Sequence, residues 1–143
     1  MESEIMNQVL ENTKRLALST SLANLADVKI VNFVWYPDQP GIFYFGAAKN
    51  SAAIAVYEQH PDTALTTIPN NEVVGAPFIR SHHVAIERSK KTMAELLPRY
   101  LELIPDYQTV WTEMGESLVP FELKMPSAVV DSGLGNAKQT VKF

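Results

Sequence analysis

Along much of this chain, apolar positions alternate with polar or small ones instead of recurring at helical spacing. Residues 16–21 (LALSTS) alternate, and residues 28–36 (VKIVNFVWY) are β-branched and aromatic, so both predict strands. Between them NLAD, 24–27, predicts a turn. The proline- and glycine-containing PDQPG at 37–41 predicts a hairpin loop, with IFYF at 42–45 as the returning strand. TALTTI at 63–68 predicts another strand and PNN at 69–71 another turn. EVVGAPFIRSHHVAIERS, 72–89, predicts one long strand region in which Gly75 and Pro77 mark a bulge or bend. LVPFELKMPSAVVDSG, 118–133, predicts one or two closing strands.

Helical periodicity is confined to a few stretches. Ile5, Met6, Val9 and Leu10 share one face, which predicts a helix over 4–15 with Ser3 as its cap. A short helix is expected after Asn50, ending near His60 because Pro61 stops it. Ser89 or Thr92 opens the next helix, Thr92 and Glu95 standing at capping-box spacing, and Pro98 is expected to kink or split it. DYQTVW at 106–111 predicts a further short helix, and residues 135–143 a loose tail or partner-contacting arm. Short turns between successive strands imply antiparallel pairing. The expected fold is mainly β with helices (α+β), a single domain over 1–143 whose six or seven antiparallel strands curl into a barrel with helices at its ends.

Composition narrows the function classes. The 143 residues suit one domain, and 46% apolar with 20% charged residues is globular composition. A net charge of -4 lacks the basic excess of a general nucleic-acid binder. The absence of cysteine excludes disulfides, thiolate metal sites and cysteine nucleophiles. No apolar run reaches the roughly 18 residues of a membrane span, and the N-terminus, MESEIMNQVLENTKR, is acidic and amphipathic, unlike a signal peptide. A soluble, cytoplasmic protein, complete as it stands, is expected.

The candidate chemistry centres on YFGAAKNSAAIAVYEQHP, 44–61, where a strand turns into a helix and side-chain bulk is cleared away. Helix starts carry partial positive charge and unpaired N–H groups that hold phosphate. Lys49 adds a full charge, Asn50 an amide and Ser51 a hydroxyl, while Ala47, Ala48, Ala52 and Ala53 let a ligand approach the backbone. The same residues also fit a plain N-cap, the commoner reason for them. In the strand 28–36, Lys29, Val31 and Phe33 share one face and Val28, Ile30, Asn32 and Val34 the other; Lys29 and Asn32 there mark either a site or a solvated face. Arg80 and His82 share a face, suited to clamping an anion or to acid–base work. His83 points the opposite way and no ligand partner stands at metal spacing, so no metal site is expected. ERSKK at 87–91 reads as a solvated face; Trp35, Trp111, Phe43, Tyr44 and Phe45 as core, dimer interface or a platform for a flavin ring. No P-loop, dinucleotide glycine fingerprint or nucleophile elbow occurs.

In order and spacing these pieces resemble the FMN-binding split-barrel proteins related to pyridoxamine 5′-phosphate oxidase. The stretches carrying the resemblance are LALSTSLANLADVKIVNFVWY, GIFYFGAAKNSAAIAVYEQHPDTALTTI, HHVAIERSKKTMAELLP and SLVPFELKMPSAVVDSG, which together span nearly the whole chain. The resemblance implies a homodimer of split barrels with FMN in clefts at the interface. Ser51, ten residues before Pro61, falls on the family's phosphate serine, and Lys29 falls near its basic strand position. Val31, Asn32 and Phe33 would pass along the flavin, and Trp111 and the 118–126 strand would reach the partner's site. Ala47 and Ala53 replace the threonine and the basic residue common in the family, leaving Lys49 to supply charge from within the loop. The implied function is an FMN-dependent oxidoreductase acting on a small substrate, with Arg80 and His82 as candidates near the ring; the substrate-site features of the true pyridoxamine phosphate oxidase are absent. The alternative is a non-catalytic flavin- or haem-binding carrier, store or sensor, with His82 or His83 as iron ligand.

Overall fold

The computed structural model describes residues 2–71 and 73–143. Its order is α1 (Glu2–Leu10), β1 (Thr13–Leu22), β2 (Leu25–Asn32), β3 (Val34–Trp35), β4 (Ile42–Ala48), α2 (Ala53–Tyr57), β5 (Asp62–Pro69), β6 (Phe78–His82), β7 (Ala85–Arg88), α3 (Met93–Leu103), α4 (Tyr107–Met114), β8 (Leu118–Lys124), β9 (Ser127–Asp131) and β10 (Gln139–Lys142). One sheet has six strands in the order β10-β9-β6-β5-β1-β2, the other four in the order β3-β4-β8-β7, with antiparallel pairing throughout. This is a split barrel: the two sheets do not close into one, and the strands exceed the six or seven expected because several predicted strands are each divided between the sheets.

That division builds the fold. The predicted strand 28–36 leaves the large sheet after Asn32 and joins the small one at Val34, turning at the buried Phe33. The predicted strand region 72–89, whose first residue lies outside the described residues, breaks the same way. β6 belongs to the large sheet and β7 to the small one, and the corner is His83 at φ 55°, a left-handed conformation that ends regular pairing. Gly75 and Pro77 lie in the irregular stretch before β6. β8 and β9 make a third crossing around Pro126. These crossings, with a fourth from β4 to β5 through α2, wrap both sheets around one core, where Leu16, Leu18, Phe45, Ile79, Phe121 and Leu123 are fully buried.

Other boundaries shift for local reasons. The first helix stops at Leu10, and residues 13–15 already belong to β1; Ser3 lies inside the helix instead of ahead of it. Asn24, with Ala23, takes positive φ in a two-residue hairpin turn, so the predicted turn residues Leu25–Asp27 are already in strand. The predicted tail forms β10, an edge strand that buries Val141.

A second apolar cluster lies where α3 and α4 meet the small sheet, with Val34, Tyr44, Leu96, Tyr100 and Tyr107 buried together. Thr92 caps α3 by accepting from the Glu95 N–H while the Glu95 carboxylate accepts from the Thr92 N–H, and the helix runs through Pro98 unsplit. Thr92→Ala is expected to lower stability by about 1 kcal/mol in urea unfolding. Glu95→Ala is expected to have a smaller effect of the same sign.

Candidate functional site

The register places Lys29 opposite Leu18 and Asp27 opposite Thr20, so both side chains project from the core-side face of β2. β2 is the sheet's edge strand, and α2 stands beside that face. There a cleft of about 100 Å³ forms between Leu18, Thr20, Asp27, Lys29, Ala53 and Tyr57. At its mouth the Lys29 ammonium donates to the Ser51 hydroxyl at 3.5 Å, joining two residues 22 positions apart. Strand parity brings the cation to this face, and the β4–α2 corner brings the hydroxyl.

The corner differs from a helix-dipole site. α2 is only five residues long. Its first N–H groups are already engaged: Ser51 N–H donates to the Ala48 carbonyl, Ala53 N–H to the Ser51 hydroxyl and Ile54 N–H to the Ser51 carbonyl. Ser51 is therefore a local cap and a partner of Lys29 at once. An anion here would be met by the ammonium and the hydroxyl, not by a row of free amides. Asp27 opposes it with a carboxylate on the same face. The Tyr57 phenol, buried beneath, is pushed above its ordinary pKa by burial and further by the Asp27 charge.

Lys49 faces another way. Its backbone N–H donates to the Ser117 carbonyl at 2.7 Å, and its side chain lines a cleft of about 670 Å³ with Gln108, Trp111, Thr112 and Glu116. Gly115 permits this packing, because a side chain there would collide with the Trp111 ring. The 49–51 turn thus separates a small cleft suited to one anionic group from a larger one with an aromatic wall. Asn50 is exposed at the tip of that turn.

The remaining candidates disperse. Val31 is half-buried against the main core, and the Phe33 side chain is buried, its ring 4.7 Å from that of Phe43, so only its backbone is available to a ligand. Asn32 lines a different pocket, with Lys14 and Arg15. Arg80 and His82 share the outer face of the large sheet, as their parity requires, but Thr66 and Ala64 of β5 stand opposite them. They are three strands from β2 and on the other face from Lys29, so within one chain they do not join the corner. His83 pairs with Asp62 at 3.2 Å, and among the described residues no group of three metal-ligating side chains gathers. Sequence reasoning missed Asp27 and Tyr57. The NLAD pattern predicts a turn at Asp27, whereas the strand extends through it and the i, i+2 relation to Lys29 gives both the same face.

Among the described residues no helix is long and apolar enough to cross a membrane. Residues 9–137 match the family model described as pyridoxamine 5′-phosphate oxidase-like. No curated protein matches the sequence. Among solved structures, a heme binding protein from Mycobacterium smegmatis is similar at TM-score 0.74 and 10% identity; the match covers 99% of this chain but only 58% of that one. A protein from Clostridium acetobutylicum related to general stress protein 26, of the pyridoxinephosphate oxidase family, is similar at TM-score 0.68 and 10% identity, over 99% and 94% of the two chains. A NimC/NimA family protein from the same organism is similar at TM-score 0.63 and 14% identity, over 99% and 94%. At such identities the likeness to these structures concerns the fold.

Proposed function

Since the chain belongs to the pyridoxamine 5′-phosphate oxidase-like family, we propose that it binds flavin mononucleotide at the β4–α2 corner and serves as an oxidoreductase for a small substrate. The observation carrying this reading is the Lys29–Ser51 contact, an exposed cation and a hydroxyl brought together at the rim of a cleft. An ammonium and a hydroxyl are donors that suit a phosphate monoester. Lys29 and Ser51 would hold the phosphate. Lys49 and Trp111 would border the ring in the larger cleft, Trp111 offering an aromatic face. Asp27 would oppose the phosphate and keep the affinity moderate. Bound flavin supplies the electron-transfer chemistry, and the chain supplies binding and orientation.

A second copy of the chain completes this reading. β2 exposes Val28 and Ile30 at 63% and 60% on the outer face of an unpaired edge strand, and Leu25 at 72% on its other face, apolar positions that a two-fold partner would cover. β8, which has neighbours on both sides and turns Phe121 and Leu123 into the core, would offer the partner its half-buried residues Leu118, Val119 and Pro120.

The test is an absorbance spectrum from about 300 to 700 nm, the range that holds flavin and haem bands, before and after adding FMN and removing the excess. Retained flavin bands support the reading; a featureless spectrum after saturation overturns it. A Soret band in freshly purified protein would favour haem instead. That reading rests on His82, which is exposed on the outer sheet face and without a hydrogen-bond partner among the described residues.

A further inference from the structure

A third pocket, at the far end of β2 from the hairpin turn, is ringed by polar side chains without partners among the described residues. Its volume is about 380 Å³, within the range of small-molecule sites of about 300 to 1,000 Å³. Its floor is apolar: Ile104 and Tyr107 are 5% and 4% exposed, with Val110 beside them. Lys14, Arg15, Asn32, Asn70 and Asp106 ring it.

The two cations reach one pocket because of a backbone irregularity. Adjacent residues of a regular strand point to opposite faces. Between Thr13 and Arg15 the pairing of β1 with β5 slips, Thr13 opposing Pro69 and Arg15 opposing Ile68, so Lys14 is an extra residue in a bulge. A bulge re-aims side chains, and here Lys14 and Arg15 both line the pocket. Asn32 is fixed by its position opposite Arg15, and Asn70 by its backbone N–H donating to the Asn12 carbonyl at 2.9 Å.

Among the described residues, none of these groups makes a side-chain hydrogen bond or ion pair. The ion pairs among the described residues are His83–Asp62, Arg88–Glu58 and Arg99–Glu102, which leaves Lys14, Arg15 and Asp106 unpaired. Asp106 holds the N-cap position of α4 yet makes no side-chain capping bond. Three unpaired charges and two amides surround an apolar floor.

We propose that this pocket binds a small amphoteric acid: a carboxylate with an amine or hydroxyl beside it, on an apolar body. Lys14 and Arg15 take the carboxylate, Asp106 accepts from the amine or hydroxyl, Asn32 and Asn70 satisfy remaining hydrogen-bonding groups, and the apolar body rests on Ile104, Tyr107 and Val110. The site is separate from the Lys29–Ser51 corner and does not depend on flavin binding there.

The test is an amide-shift titration of ¹⁵N-labelled full-length protein, with and without FMN, at millimolar probe. The probes are L-phenylalanine, phenyllactate, phenylalanine amide (no carboxylate) and 3-phenylpropionate (no amine or hydroxyl). Phenylalanine and phenyllactate are expected to shift Asn32, Asn70 and Val110. The other two are expected to bind at least about tenfold more weakly, each lacking one charge-assisted contact. Lys14→Ala with Arg15→Ala, or Arg15→Gln alone should the double variant fold poorly, should weaken phenylalanine binding by a similar factor. Asp106→Asn should erase the preference for phenylalanine over 3-phenylpropionate. Equal binding of phenylalanine and its amide, no shift at millimolar probe, insensitivity to the Lys14 and Arg15 changes, or competition by FMN would each overturn the proposal.

Discussion

Lys29→Glu is expected to weaken FMN binding by about 100-fold, read as the dissociation constant from quenching of flavin fluorescence. A hydrogen bond to a charged group contributes roughly 1.5–3 kcal/mol, about a factor of 10 to 100 in affinity, and reversing the charge adds repulsion to its loss. Lys29→Ala should give the lower part of that range, and Lys29→Arg should retain most of the affinity. Ser51→Ala should cost less than Lys29→Ala, because the hydroxyl is neutral and the Ala53 N–H that it caps can turn to water. Asp27 supplies a test of opposite sign. It projects from the same strand face as Lys29 and lines the same cleft. Asp27→Asn is therefore expected to tighten FMN severalfold, with a stronger weakening by salt than in the parent, because the Lys29 attraction is then unopposed. If Lys29→Glu and Asp27→Asn both leave affinity unchanged, the phosphate does not bind at this corner.

This corner was legible in the sequence because two local rules converge on it. Alternation placed Lys29 on a definite strand face, and small residues after a strand marked the approach to Ser51. Their meeting across 22 residues follows from the fold, and only the recognised order of elements connected them. The hairpin loop at 37–41 and the capping box at Thr92 were legible for a similar reason, being set by residues within a few positions of one another. The sheet crossings at Phe33 and His83 were not. Both occur inside runs of continuous strand character, and what turns the chain is the pairing of each half with a different sheet. Lys14 and Arg15 were hidden by the extension of the first helix over them. Its apolar face in fact ends at Leu10, and Glu11 and Asn12 form the turn into β1. Local charge pattern carries no signal for a bulge fixed by the partner strand, so a pocket built on one could not be read from the residues alone.

Raising the pH above 10 is expected to destabilise the protein steeply, and Tyr100→Phe is expected to flatten that loss. Tyr100 is fully buried and stacked on Tyr107 at 4.0 Å with 18° between ring planes. Burial pushes its phenol well above the ordinary value of 10.0, and the neighbouring Tyr107 adds to the effect. Burial likewise raises Tyr107 and Tyr57. The unfolded chain releases these protons near pH 10 while the folded chain keeps them, so above that pH the unfolded state binds fewer protons. The stabilising difference is fully present below pH 10 and is lost as pH rises toward the folded values, at up to about 1.4 kcal/mol per pH unit for each such phenol. Urea midpoints at about pH 8, 9.5 and 11 bracket that window. Tyr100→Phe keeps the stacked ring and removes the proton, so its slope should be shallower by one phenol's share. The phenolate absorbance that Tyr100→Phe removes, taken as parent minus variant because half-exposed Tyr36 can ionise in the folded chain, should appear together with unfolding and not before it. That difference signal in still-folded protein, or an unchanged slope in the variant, would show that the stack is open to solvent. Because Tyr107 also floors the Lys14–Arg15 pocket, an open stack would remove the dry surface on which that pocket depends.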